Sequence, residues 1–143
     1  MEDLNHIKEE ERRDFDMNTE ANRTLTFLDW PFDGEDAQCT SDKMAKSGFY
    51  CIGNENEPDL VRCFVCYKEL DGWEPDDDPM QEHKSHSPNC AFLSAKPEAE
   101  QTVEDFLKLE AARQNNKFMK LSEQHVKEFE RQAAETREQL EII

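Results

Sequence analysis

Cys63-Phe64-Val65-Cys66, followed by His83 and Cys90, arranges three thiols and an imidazole as C-x2-C-x16-H-x6-C. Two thiols two residues apart sit on one tight knuckle, and a later histidine and cysteine complete a tetrahedron, so the chemistry is that of a Cys3His zinc site. Four protein ligands leave no open coordination position, and such an ion holds a fold together instead of activating water. Its loss is expected to unfold the surrounding domain. His86 precedes Cys90 by three intervening residues and competes for the fourth place. His83 is preferred because it falls deeper in the helix expected there. Cys39 and Cys51 stand outside the set and read as small buried side chains. The chain has no phosphate-cradling glycine loop and no serine-nucleophile elbow, so it is not expected to be an enzyme.

Between the two ligand pairs runs Lys68-Glu69-Leu70-Asp71-Gly72-Trp73-Glu74-Pro75-Asp76-Asp77-Asp78, and residues 48–95 carry ten acidic residues against the basic Arg62, Lys68 and Lys84. Acidic runs are usually solvated faces. Leu70 and Trp73 among the carboxylates suggest more, because an aromatic wall beside acids suits a free amine with a small side chain. A peptide added to the edge of the third strand would supply the backbone hydrogen bonds.

The elements that must position these groups are short. At 143 residues, 36% charged and 36% hydrophobic, with a mean hydropathy of -0.99, the chain cannot bury a large core. A unit of roughly 70 to 80 residues is of the size that a structural metal commonly stabilises. The net charge of -17 argues against sequence-independent contact with nucleic acid or anionic lipid, and makes a basic peptide the expected partner. An odd count of five cysteines, no leader and no apolar run of spanning length lead to the expectation of an intracellular soluble protein with reduced thiols.

The fold class expected is α+β: a three-stranded antiparallel sheet with short helices, stabilised by zinc, followed by one long C-terminal helix. Residues 1–17 form an acidic arm, read as a short helix or frayed segment. Residues 18–95 form the zinc domain and 96–143 the helix. Asn18 or Thr19 opens a helix carrying Ala21, Leu25, Phe27 and Leu28 towards Trp30, and Pro31 stops it. Phe27, Trp30 and Phe32 belong to the core. Thr40 caps a second helix that ends at Gly48. Strands follow at 49–52, 60–64 and 68–73. Asp78-Pro79 starts the helix bearing His83.

From Pro97 onward there is neither glycine nor another proline, and about 45 helical residues would reach roughly 65 to 70 Å. Val103, Phe106, Leu107 and Leu109 suit packing on the globular part or on a second copy. Met119, Ser122, Val126, Phe129, Ala133, Thr136, Leu140 and Ile143 alternate steps of three and four, a weak coiled-coil seam. A solvated single helix held by pairs such as Glu123 with Lys127 is the competing reading.

The run Cys63 to Pro79, with Glu82-His83-Lys84, Cys90-Ala91-Phe92-Leu93, the upstream Thr26-Phe27 and Trp30-Pro31, and Phe106-Leu107-Lys108-Leu109, resembles the baculoviral IAP repeat (BIR) of the single-repeat inhibitor-of-apoptosis family. The resemblance spans about residues 18–143. It implies a subunit of the chromosomal passenger complex whose repeat recognises a phosphothreonine-bearing histone tail beginning Ala-Arg-Thr. By motif position, Asp71 and Asp77 would hold the free amine, Leu70 and Trp73 the first alanine, Lys68 and His86 the phosphate, with Glu57 near the basic side chain. The implied partners of the long helix are helices of borealin and the inner centromere protein, and through them Aurora B kinase. A homodimer, and inhibition of apoptosis through Ala-initiated peptides or caspases, are also implied. So are residence in nucleus and cytoplasm, at the centromere in mitosis, and later at the spindle midzone and midbody. Asp71 stands where the resembled repeat commonly has glutamate. Ser41 replaces the proline of a proline-directed site at Thr40, and the N-terminal arm lacks tryptophan.

Overall fold

The structure, a computed structural model, describes residues 2–142. Helix α1, Glu2–Asp16, fills nearly the whole of the arm expected to be a short helix or frayed segment. It is polar apart from Leu4, Ile7 and Phe15, and it rests on the C-terminal helix through an edge-on ring pair of Phe15 with Phe106, centroids 6.4 Å apart, and an Asp14–Lys117 bridge of 2.6 Å.

Helix α2, Glu20–Leu25, ends well short of Pro31. Leu25 and Leu28, expected on an inward face, are 72% and 80% exposed. Thr26 is the reason: its hydroxyl donates to the Arg23 carbonyl at 2.6 Å and accepts the Cys51 amide at 2.8 Å, tying the helix end to the sheet. Asp29, at φ 55°, then turns the chain so that Phe27 and Trp30 enter the core, where the indole donates to the Cys39 carbonyl.

Helix α3, Ser41–Lys46, has Thr40 as its cap, with Oγ1 accepting the Lys43 amide. Gly48 follows at φ +94°, a conformation that disfavours a β-carbon. Strands β1 (Phe49–Cys51), β2 (Val61–Cys63) and β3 (Glu69–Leu70) form an antiparallel sheet in that order, pairing Phe49 with Cys63 and Val61 with Leu70. The strands are shorter than the apolar runs that predict them. Phe49, Val61 and Cys63 face inward, while Arg62 pairs with Glu69 on the other side. Gly53 is required in the β1–β2 turn because a β-carbon there would meet the Pro58 carbonyl at 2.6 Å.

Helix α4, Pro79–His86, starts as its sequence dictates, with the Asp78 carboxylate accepting the Met80 and Gln81 amides. Two 3-10 turns, Ala91–Ser94 and Glu98–Glu100, lead to α5, Val103–Ile142. The long helix therefore begins six residues after Pro97. Pro97 and Gln101 are extended, and the start belongs to Thr102, whose hydroxyl accepts the Asp105 amide while Asp105 accepts that of Thr102. Glu98 and Glu100 lie before the helix, and the acids of its first turn are Glu104 and Asp105. Its 40 residues extend about 60 Å.

Only the first half of α5 touches the domain. Leu109 joins the core, Asn116 donates to the Val65 carbonyl and Lys120 to that of Tyr67. Arg113, nearly buried, pairs with Glu110 and donates to the Tyr67 hydroxyl, while Asn18 and Gln114 also donate to Glu110. Beyond Lys120, Val126, Phe129 and Leu140 are more than half exposed, as is Met119. Ile143, the last expected seam position, lies outside the described residues. Glu123 and Lys127 do not pair. Among the described residues of this half, Arg131 bridges Glu128 and Glu135. No described helix is long and apolar enough to cross a membrane.

Candidate functional site

Cys63 ends β2, and the chain closes a knuckle behind it. The Tyr67 amide donates to the Cys63 carbonyl at 3.0 Å, Tyr67 takes φ 63°, and the Val65 amide points at the Cys63 sulfur at 3.3 Å. This brings Cys66 beside Cys63. The ring of His83 projects inward from α4 and is fully buried against Phe49 and Phe92. Cys90 returns on the turn after α4, its amide bonded to the Ser87 carbonyl.

The four ligand atoms all lie within 4.8 Å of one another. Zinc bonds of about 2.3 Å to sulfur and 2.0–2.1 Å to nitrogen, at tetrahedral angles, require roughly 3.8 Å between sulfurs and roughly 3.6 Å between sulfur and nitrogen. Cys63 and Cys90 sulfurs are 3.8 Å apart, and Cys66 Sγ is 3.6 Å from His83 Nε2. His83 Nδ1 lies 2.8 Å from the Ser47 carbonyl, which directs the ring N–H there and the Nε2 lone pair at the metal position. The set fits one zinc ion with every coordination place filled by protein, which makes the site a structural one. His86, the competing candidate, lies outside the cluster near Glu82.

Without metal the tetrad contends with its own protons. Burial pushes the Cys63 thiol well above its ordinary range, and hydrogen bonds from Cys63 and Cys90 draw Cys66 down. Burial lowers His83, but hydrogen bonding to the Cys66 and Cys90 sulfurs outweighs it and lifts the imidazole to about 9. Metal binding at neutral pH therefore expels protons.

A second feature sits on the far side of the same elements. β3 is an edge strand, and Gly72, at φ +70°, turns the chain after it. The Trp73 amide donates to Asp59 and that of Glu74 to Asp77, fixing the insert against the β1–β2 turn. Trp73 is buried edge-on to Phe49, and its indole N–H has no partner among the described residues. Leu70, Asp71, Trp73, Asp77 and His86 line one small cleft of about 70 Å³ together with Glu82. Two of the sequence candidates stand apart from it. Lys68 lines a separate depression with Tyr67, Glu69 and Lys120, and Glu57 is exposed in the β1–β2 turn. Glu82 was missed by sequence reasoning, although its place four residues before His86 on one helix was a usable signal.

Residues 23–94 match the family model described as "BIR: Inhibitor of Apoptosis domain". The chain belongs to the baculoviral IAP repeat family of inhibitor-of-apoptosis proteins. Within that family it is similar to survivin, as "Baculoviral IAP repeat-containing protein 5" is also known: 52% identical to that of Mus musculus over 122 residues, covering 85% of this chain and 86% of the relative. The Rattus norvegicus protein of that name is 48% identical over 128 residues, 89% of each chain. "Baculoviral IAP repeat-containing protein 5.2" of Xenopus tropicalis is 48% identical over 124 residues, covering 86% of this chain and 79% of the relative. Among solved structures, "Crystal structure of DIAP1 BIR1 bound to a Grim peptide" is 36% identical, with a TM-score of 0.44 over 52% of this chain and 69% of that one.

Proposed function

We propose that this chain is a non-enzymatic adaptor subunit of the chromosomal passenger complex, reading a phosphothreonine-bearing histone tail that begins Ala-Arg-Thr and helping to localise Aurora B kinase in mitosis and cytokinesis. The observation that carries the reading is the cleft at the β3 edge, where three carboxylates, an indole and an imidazole converge. Asp71 and Asp77 would take the amine, Leu70 and Trp73 the alanine methyl, and His86 the phosphate. Lys68, from the neighbouring depression, would face the same phosphate, and Glu57 would lie near the basic side chain. The exposed Met119, Val126, Phe129 and Leu140 would dock helices of borealin and the inner centromere protein, while Val103, Phe106 and Leu107 would serve a homodimer. On this reading the protein occupies nucleus and cytoplasm, the centromere in mitosis, then the spindle midzone and midbody.

Titrating the zinc-loaded chain with Ala-Arg-Thr peptides, and following Trp73 fluorescence, tests the proposal. The phosphothreonine form should bind more tightly. Lys68→Ala or His86→Ala should each reduce that preference by about ten-fold, the size of one charge-assisted hydrogen bond, whereas Asp71→Ala should weaken both forms. Equal affinity for the two peptides would refute histone reading. The separation of Lys68 from the cleft favours a second reading, an inhibitor of apoptosis that binds Ala-initiated peptides of cell-death proteins or contacts caspases. Tighter binding of an unphosphorylated Ala-initiated peptide would select it.

The helix is tested separately by ending the chain after Asn116. The domain should still fold, since Leu109, Arg113 and Asn116 remain, and it should lose about 2 kcal/mol with the Lys120–Tyr67 hydrogen bond and the Lys117–Asp14 and Lys120–Glu69 bridges. Binding of partner helices should disappear. Assembly that survives the truncation would remove α5 as the docking element.

A further inference from the structure

Three of the four metal ligands stand on or beside regular structure. Cys63 ends β2, where it pairs with Phe49, His83 belongs to α4, and Cys90 caps the Ala91–Ser94 turn. Cys66 lies in the turn between β2 and β3, and it alone of the tetrad is only half-buried. That turn is closed by Tyr67 at φ 63°, a left-handed conformation that a bulky side chain keeps only where its surroundings impose it. Within the zinc domain the Tyr67 amide donates to the Cys63 carbonyl, and the Cys63 amide donates to that of Lys68. The carbonyls of the two residues flanking Cys66, Val65 and Tyr67, are taken from outside the domain.

Those holds come from α5. Arg113, Asn116 and Lys120 follow one another at steps of three and four and so share one face of the helix. Asn116 Nδ2 donates to the Val65 carbonyl at 3.0 Å, Lys120 Nζ to the Tyr67 carbonyl at 2.9 Å, and Arg113 Nη1 to the Tyr67 hydroxyl at 3.1 Å. Of the two buried arginines among the described residues, Arg23 donates to the Ala45 carbonyl inside the zinc domain, whereas Arg113 reaches across from α5. Glu110 fixes Arg113, and Glu69 lies 3.6 Å from the Lys120 ammonium. Both neighbours of Cys66 are thus fastened to side chains 51 and 53 residues away in the chain. Groups that orient metal ligands from outside govern metal affinity, and losing one typically costs on the order of 10- to 100-fold.

We propose that Arg113, Asn116 and Lys120 are positioning residues for the zinc tetrad: the docked α5 holds the Tyr67 turn in its left-handed form, and this keeps Cys66 on the metal. Zinc retention and the docking of α5 then support one another, since a coupling between two events acts equally in both directions. Cys66 is the ligand that leaves first when α5 lifts. The β3 cleft takes no part in this, so the inference stands apart from histone reading.

Competition for zinc between the full chain and a chromophoric chelator tests it, together with mass spectrometry of N-ethylmaleimide labelling. Asn116→Ala and Lys120→Met introduce good helix formers, so α5 itself is kept. Each should raise the zinc dissociation constant about ten-fold, and Lys120→Arg should recover part of the loss. Lys117→Met is the control: it removes the bridge from the same helix to Asp14, away from the knuckle, and should leave zinc affinity at the parent's value. In Lys120→Met, Cys66 should be labelled ahead of Cys63 and Cys90, with the half-buried Cys51 giving the reference rate in every variant. Unchanged zinc affinity in both Asn116→Ala and Lys120→Met would overturn the proposal. So would an equal loss in Lys117→Met, which would reduce the effect to a general loosening of α5, or labelling of the three ligand cysteines at one rate, the mark of global unfolding.

Discussion

Chelating the metal, or replacing Cys63 by serine, is expected to unfold residues 18–95. Structural zinc supplies on the order of 10 kcal/mol in small domains, as much as a domain of this size has in total stability. Near-UV circular dichroism from Trp30 and Trp73 should collapse, because both rings owe their fixed surroundings to the core built on the tetrad. Cys51→Ser is the control. Its sulfur lies outside the tetrad, half-buried at the margin of the core with a long 3.9 Å hydrogen-bond contact to the Pro58 carbonyl, so the change should cost about 1 kcal/mol. A native near-UV spectrum in Cys63→Ser would contradict the structural role given to the ion. The pH dependence has a definite sign. Ligation needs thiolates and neutral imidazole, and the metal-free site holds His83 at about 9 with Cys63 raised as well. At fixed zinc, the thermal midpoint should therefore fall as pH is lowered from about 8 to about 5.

The second large effect is expected at Glu110. Changing it to glutamine keeps the shape but leaves the buried Arg113 without its negative partner. Breaking such a pair costs about 3 kcal/mol, or roughly 10 °C in the thermal midpoint. Burial acts to raise the Glu110 pKa, but hydrogen bonds from Arg113, Gln114 and Asn18 outweigh it and hold the value below the ordinary one. For a depressed carboxylate, the stabilisation is complete above the unfolded value, about 4.3 for glutamate, and is lost as pH falls through the folded one. The deficit of Glu110→Gln should thus be full at pH 7 and shrink in acid. Removing both partners, as Glu110→Leu with Arg113→Met, should recover part of the loss. Recovery is incomplete because Asn18, Gln114 and Tyr67 each lose a hydrogen-bond partner.

The contrast between these two sites shows where local reasoning succeeds. The tetrad is legible because its members come from a knuckle, a capped helix and the turn after it, each specified within a few residues. Asp78-Pro79 places His83, and the C-x2-C spacing places the knuckle. The same holds for Thr40 and Gly48 at the ends of α3. Sequence reading went wrong where a distant group arbitrates. Leu25 and Leu28 look like the inward face of a helix that runs to Pro31, but the Cys51 amide claims Thr26 and the helix stops. Pro97 and Thr102 are both legitimate helix starts, and the Thr102–Asp105 reciprocal cap takes the position. Arg23, Glu110 and Arg113 gave no sign of burial, since charged residues at helical spacing are ordinarily solvated.

The β3 cleft divides along the same line. Leu70, Asp71, Trp73 and Asp77 are near neighbours in the chain, so an acidic aromatic insert could be recognised before any fold was known. That His86 and Glu82 join them follows from α4 meeting the insert after β3, while Lys68 turns to a different depression walled by Asn116, Met119 and Lys120 of α5. Chain spacing specifies the metal ligands, the short-element fold and the acidic insert, because each depends on contacts a few residues long. Which charges are buried, where α5 begins and docks, and which side chains share a cleft are set by packing between segments 20 to 90 residues apart, whose geometry no local pattern encodes.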